Sequence, residues 1–152
     1  MIYTIGHSSH PIERFLGLLR RRIVALVDVR SRPYSKHAPW FQKRPLERAL
    51  AGAEIDYLFL GDELGGYDLA PEDYARRATE EGFLRGVERL VALARERATA
   101  IMCAEEDPRR CHRHLLIAPA LRERGIQVVH IRGDGRLEAE AGLRGAQLGL
   151  FD

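Results

Sequence analysis

Lysine is nearly missing from this chain. It holds 24 basic residues, yet Lys36 and Lys43 are its only lysines and all the others are arginine. Cysteine occurs twice, at Cys103 and Cys111. Two are too few for the disulfide framework of a small secreted domain, and a cytosolic location would keep both reduced. No apolar run approaches the roughly 20 residues of a membrane helix, so no membrane partner is expected. The opening MIYTIGHSS has no basic region followed by an apolar run, so no signal peptide is read there and a cytoplasmic location is expected. Charge of one sign is also lacking overall. The net charge of +2 excludes a strongly basic or acidic protein whose partner could be read from charge alone. Locally the balance differs, because no acidic residue stands between Val29 and Leu46.

What is present suits one ordinary domain of 152 residues, with 45% hydrophobic residues for a core. Short apolar runs alternate with stretches of helical period. Strands are expected at Ile2–Ile5, Ile23–Val29, Ile55–Leu60, Ala100–Cys103 and Gln127–Ile131. Helices are expected around Ile12–Leu19, Leu46–Leu50, Phe83–Ala98 and Arg109–Arg124, the last stopped by Gly125. This alternation predicts an α/β fold: a mainly parallel sheet of about five strands with helices on both faces, a Rossmann-like three-layer sandwich. Residues 1–132 read as that single domain. Residues 133–152 hold no convincing strand and read as a C-terminal tail.

In such a sheet, ligands bind outside the carboxyl ends of the strands. Those ends carry Gly6, His7 and Ser8, then Asp28, Arg30 and Ser31, then Gly61–Gly66, then Cys103 and Glu105, then Arg132. In CAEEDPRRCHRHLL, Asp107 before Pro108 is a strong helix start, which predicts Cys111, His112 and Arg113 in the first turns. Cys103 and Arg109 have the spacing of a thiol phosphatase loop. The segment lacks glycine and carries three acids where the dianion would sit, so that reading is rejected. Cys103, Cys111, His112 and His7 are candidate zinc ligands. The cysteine spacing is not that of a zinc finger or of the zinc deaminases, so no metal and no cofactor is the expectation, with zinc on those residues as the alternative. The plainer reading of Cys103 is a buried strand residue, and of Cys111, helix packing.

The stretch DVRSRPYSKHAPWFQKRP sets Arg30, Arg32, Lys36, Lys43 and Arg44 among Tyr34, Trp40 and Phe41. Cations for phosphate and aromatic faces for bases suit single-stranded or flipped nucleotides. A solvated basic loop with packed aromatics is the competing reading.

TIGHS at Thr4–Ser8, DVRSRPYS at Asp28–Ser35, the Leu64-Gly65-Gly66 turn and CAEEDPRRCHR at Cys103–Arg113 together resemble the family called domain of unknown function 488. The resemblance runs over most of the chain. It implies a compact α/β domain and marks His7, Asp28, Arg30, Ser35, Cys103, Glu105, Cys111, His112 and Arg113 as the site. It supplies no mechanism. Separately, Gln147-Leu148-Gly149-Leu150-Phe151 resembles the short peptide by which bacterial polymerases and repair proteins bind the DNA sliding clamp. Two leucines and a phenylalanine would fill an apolar cleft while Gln147 bonds at its rim. The alternative is a tail folded back on its own sheet.

The leading expectation is an enzyme acting on DNA or a nucleotide, a hydrolase of DNA metabolism or repair, tethered to the clamp by its C-terminus. Asp28 or Glu105 would activate water, and His7 or His112 would move protons. Arg30 and Arg113 would hold phosphate, with Ser8, Arg32, Tyr34, Ser35, Lys36 and Trp40 completing the binding surface. The alternatives are a DNA-binding module without catalysis, and a thiol- or zinc-dependent enzyme of small-molecule metabolism using Cys103 and Cys111.

Overall fold

The computed structural model describes residues 1–20, 22–66 and 69–142. The elements run β1 (Ile2–Gly6), α1 (Ile12–Leu19), β2 (Ala25–Asp28), α2 (Lys43–Gly52), β3 (Asp56–Phe59), α3 (Gly61–Leu64), α4 (Tyr74–Arg77), α5 (Glu81–Glu96), β4 (Thr99–Cys103), α6 (Ala118–Glu123), β5 (Val128–Ile131) and β6 (Leu137–Ala139). Among the described residues the sheet has six strands in the order β3-β2-β4-β1-β5-β6. The first five are parallel, and β6 runs antiparallel to β5. The fold is the expected α/β sandwich. No helix among the described residues is long and apolar enough to cross a membrane.

The three layers follow from strand alternation. Successive side chains of β4 point to opposite faces. Ala100 and Met102 join a core with Phe15 and Leu19 of α1 and Leu46 and Leu50 of α2. Ile101 and Cys103 join the other, with Phe83, Val87 and Leu90 of α5 and Ala118 and Leu121 of α6. The chain leaves β1 and β2 toward the first face and β3 and β4 toward the second. The loops after β2 and β4, which are neighbours in the sheet, therefore part to opposite sides and leave a crevice between them.

Two expectations are corrected. Residues from 133 were expected to hold no strand, but Leu137–Ala139 pairs with β5 as an edge, and Glu140 beyond it is buried. The helix expected over Arg109–Arg124 is broken. Pro108–Arg110 forms one 3₁₀ turn, and Arg113–Ile117 forms a turn of π-helix that leads into α6. Asp107 does cap the first turn, accepting from Arg109 N at 3.0 Å. Cys111 is extended at φ −133°, ψ 148°, so it does not sit in a helical turn. Gly125 ends α6 at φ +73°, the left-handed conformation that a helix stop uses.

Candidate active site

Gly6 ends β1 opposite Cys103 in the register. Beyond it the loop after β4 continues beside β1, where His7 N donates to Cys103 O and Ser8 N to Ala104 O. A Cβ on Gly6 would stand 1.9 Å from Glu105 O, so only glycine admits this approach. The loop is clamped from the other side by Arg132, which donates to Glu106 and Glu138 at 2.9 and 2.8 Å. Arg109 pairs with Asp107 and Glu138, away from the crevice.

The crevice is a cavity of about 580 Å³. Cys103, Ala104, Glu105, Cys111 and His112 line one side, and Arg30, Ser31, Arg32, Tyr34 and Lys36 line the other. Arg110, Gly66 and Tyr74 complete it. Arg32, Tyr34, Lys36 and Arg110 are exposed, whereas Arg30 is 6% exposed.

Arg30 is held by a buried anion. Asp28, 0% exposed, accepts from Arg30 Nε at 2.9 Å, from Nη2 at 2.8 Å and from the Arg30 backbone N at 3.1 Å. Tyr57 Oη also donates to it at 2.6 Å. Burial, with Asp28 next, raises the Tyr57 hydroxyl far above its ordinary range, so it stays a donor. His7 stacks on Phe41 with ring centroids 4.4 Å apart. Its Nδ1 donates to Ser8 O at 2.7 Å, which leaves Nε2 to accept from Arg30 Nη1 at 3.2 Å. Burial first, then the Arg30 cation, lowers His7 to about 4, so it is neutral at pH 7.

The thiols sit on a second buried cation. Arg113 is 0% exposed and donates through Nε to Cys111 Sγ at 3.3 Å and through Nη1 to Thr4 Oγ1 at 3.0 Å. Nη2 reaches the carbonyl oxygens of Glu105 and Glu106. Burial raises the Cys111 thiol, but hydrogen bonding with Cys103 and His112 and the Arg113 cation more than offset it, and it ends well below the ordinary thiol range. Burial and the bond to Cys111 hold Cys103 well above that range. His112 Nε2 donates to Val29 O at 3.0 Å, which turns Nδ1 toward Cys111 Sγ at 3.6 Å. Cys103, Cys111 and His112 have their ligand atoms all within 4.8 Å of one another and form a set able to hold a metal.

Most of the expected site residues fall into two groups. Arg30, Arg32, Tyr34, Lys36, Cys103, Glu105, Cys111 and His112 line the cavity. His7, Asp28 and Arg113 lie behind it, hydrogen-bonded to the lining residues rather than lining it themselves. Asp28 and Arg113 have no surface to offer a substrate. Both ring nitrogens of His7 are engaged, Nδ1 with Ser8 O and Nε2 with Arg30. Ser35 serves its own turn, Oγ accepting from Ala38 N. Ser8 and Trp40 do not line the cavity. Trp40 donates to His10 O, and Lys43 sits over the Phe59 ring. Gln147, Leu148, Leu150 and Phe151 lie outside the described residues.

Sequence reasoning missed a buried polar chain below the thiols. Thr4 Oγ1 meets His130 Nδ1 at 2.6 Å, and the far nitrogen of His130 meets Glu140, which also bonds His114 at 2.5 Å. Its one signal was polar residues, Thr4 and His130, inside otherwise apolar strands.

The protein is a mainly parallel α/β sandwich with a cation-lined cavity at the carboxyl edge of its sheet. The family model "Domain of unknown function DUF488" matches residues 11–119, and the chain belongs to that family. The matched span includes Asp28–Ser35 and Cys103–Arg113, with Thr4–Ser8 just ahead of it. No curated protein and no solved structure matches the chain.

Proposed function

We propose that the cavity takes one nucleotide unit, free or in unpaired DNA, and that the protein hydrolyses a bond of that unit. The observation carrying this reading is the composition of the cavity wall. Arg30, Arg32, Lys36 and Arg110 surround it with cations, Tyr34 and Tyr74 offer aromatic faces, and Glu105, Cys111 and His112 stand among them. A volume of about 580 Å³ suits one nucleotide and excludes a duplex. Phosphate is held by the cations, Arg30 being pre-aimed by Asp28. A base stacks on tyrosine. Glu105 is the carboxylate placed to take a proton from the attacking water.

The test is binding of a short unpaired deoxyoligonucleotide by fluorescence anisotropy at several salt concentrations, with product analysis alongside. Arg32→Ala and Lys36→Ala should each weaken binding and flatten the salt slope by about 0.7 per lost phosphate contact. Trp40→Ala should change neither. Glu105→Gln should abolish turnover and keep binding. Binding unchanged by the two cation variants refutes the reading, turnover unchanged in Glu105→Gln removes Glu105 from the chemistry, and no product from the unaltered chain reduces the protein to a binding module.

The residues Gln147–Phe151 supply the second half of the proposal, a tether to the sliding clamp of DNA metabolism. A peptide of this kind binds at roughly micromolar strength, about −8 kcal/mol. Equal clamp binding by the full chain and by one lacking its last six residues would remove the tether.

A further inference from the structure

We infer that Cys103, Cys111 and His112 bind one zinc ion, with the fourth position open to the cavity. The first observation is distance. The two sulfurs and a ring nitrogen of His112 all lie within 4.8 Å of one another. Zinc held tetrahedrally at about 2.3 Å from sulfur and about 2.0–2.1 Å from nitrogen separates that sulfur and nitrogen by about 3.6 Å. Cys111 Sγ and His112 Nδ1 stand 3.6 Å apart.

The second observation is orientation. A ligating histidine gives its other ring N–H to a fixed acceptor, which sets the tautomer and aims the lone pair. His112 does this through Nε2 to Val29 O at 3.0 Å, and Val29 lies directly after β2, a rigid part of the sheet. Cys111 is supported in the same way. It accepts from the backbone N of Arg113 at 3.5 Å and from its guanidinium at 3.3 Å. These donors stabilise the sulfur, and Arg113, which carries them, is 0% exposed.

The third observation is the chain path. Adjacent residues in a helix point about 100° apart. The extended Cys111 followed by a helical His112 brings both side chains to Cys103 at the end of β4. Three protein ligands beside a cavity are the pattern of catalytic zinc, whereas structural zinc is closed by four. Two thiolates and an imidazole select a soft metal over magnesium or calcium. Glu105 lines the same cavity, so a water on the open position would have a proton acceptor near it. This inference concerns the floor of the cavity proposed for the nucleotide. It rests on that reading only for what zinc would do there.

The test is metal content of the full untagged chain, purified without chelators and measured by plasma mass spectrometry. About one zinc per chain is expected. Cys103→Ser and His112→Ala should each lower zinc affinity by at least the 10- to 100-fold seen for weaker, outer-shell changes. In case those variants fold poorly, the unaltered chain is stripped and reloaded with cobalt. Sulfur-to-cobalt charge-transfer absorption with tetrahedral ligand-field bands is expected, and both should vanish when zinc is added back. A chain that purifies without zinc and shows no thiolate bands with cobalt overturns the site. So does zinc retained at full affinity by both variants. A chain that holds zinc but ignores nucleotides would sink the proposed function and leave the metal site standing.

Discussion

Asp28→Asn tests the claim that a buried anion, not solvent, holds the cavity's arginine in place. Asp28 is 0% exposed and Arg30 6%. Their contact is bidentate, Nε and Nη2 donating at 2.9 and 2.8 Å, with the Arg30 backbone N and the Tyr57 hydroxyl adding two further donors. Asparagine keeps the shape but loses the charge. Its amide nitrogen then faces Arg30 in either orientation, donor against donor. The Arg30 cation is left buried with neutral His7 as its nearest other partner. Removing one member of a buried pair costs about 3–5 kcal/mol, because the remaining charge is desolvated and unpaired. That is a fifth or more of the roughly 5–15 kcal/mol that stabilises a domain. With a urea slope of about 2 kcal/mol per molar, the midpoint should fall by about 2 M. In an Arg30→Met background the same change should cost far less, since no cation is orphaned, and the cycle should return a coupling of at least about 2 kcal/mol. A midpoint shift under about 0.5 M in urea, or additive costs in the double variant, would refute the argument.

Other expectations follow from neighbouring contacts. His7, unfolded, titrates near 6.5 and, folded, near 4, so the unfolded chain binds the extra proton between those values. Stability from this group is complete above pH 6.5 and falls by about 3 kcal/mol as pH drops through 4; an NMR titration of its ring should stay flat from pH 7 to 5, and a midpoint near 6.5 would contradict its burial. Gly6→Ala places a methyl 1.9 Å from Glu105 O; the backbone must move, at a cost of about 3 kcal/mol in thermal unfolding, and a wild-type midpoint would mean the two loops are not in contact. Glu140→Gln sets an amide nitrogen against one of two imidazole donors, His114 or His130. It should cost about 1–3 kcal/mol and speed hydrogen exchange in β6, whose pairing lies next to Glu140; exchange unchanged in β6 would show that Glu140 does not anchor it.

Local pattern determined much of this protein. Alternating apolar runs and helical stripes record which faces are covered, and five strands with their parallel order of crossovers follow from that. Because parallel strands present all their carboxyl ends on one edge, Arg30, Arg32, Tyr34, Lys36, Glu105 and His112 were legible as one edge of the sheet before any fold was known. The edge strand β6 was not, since its residues alternate only between exposed and half-buried and it is held by backbone pairing, which leaves no trace in composition. Nor was the division of the charged residues. Arg30 and Arg113 look alike in the chain, yet one lines the cavity and the other is sealed beneath it. A buried cation is tolerated only where acceptors meet it, and those of Arg113 come from Glu105, Glu106 and Cys111 close by in the chain and from the Thr4 hydroxyl, which only the fold brings there. The meeting of Cys103 with Cys111 and His112 was likewise decided by tertiary structure. Helix periodicity predicted one continuous helix, but the apolar contacts of Leu116, Ile117 and Leu121 with the sheet core are met with the chain extended at Cys111, and that break turns the thiol inward.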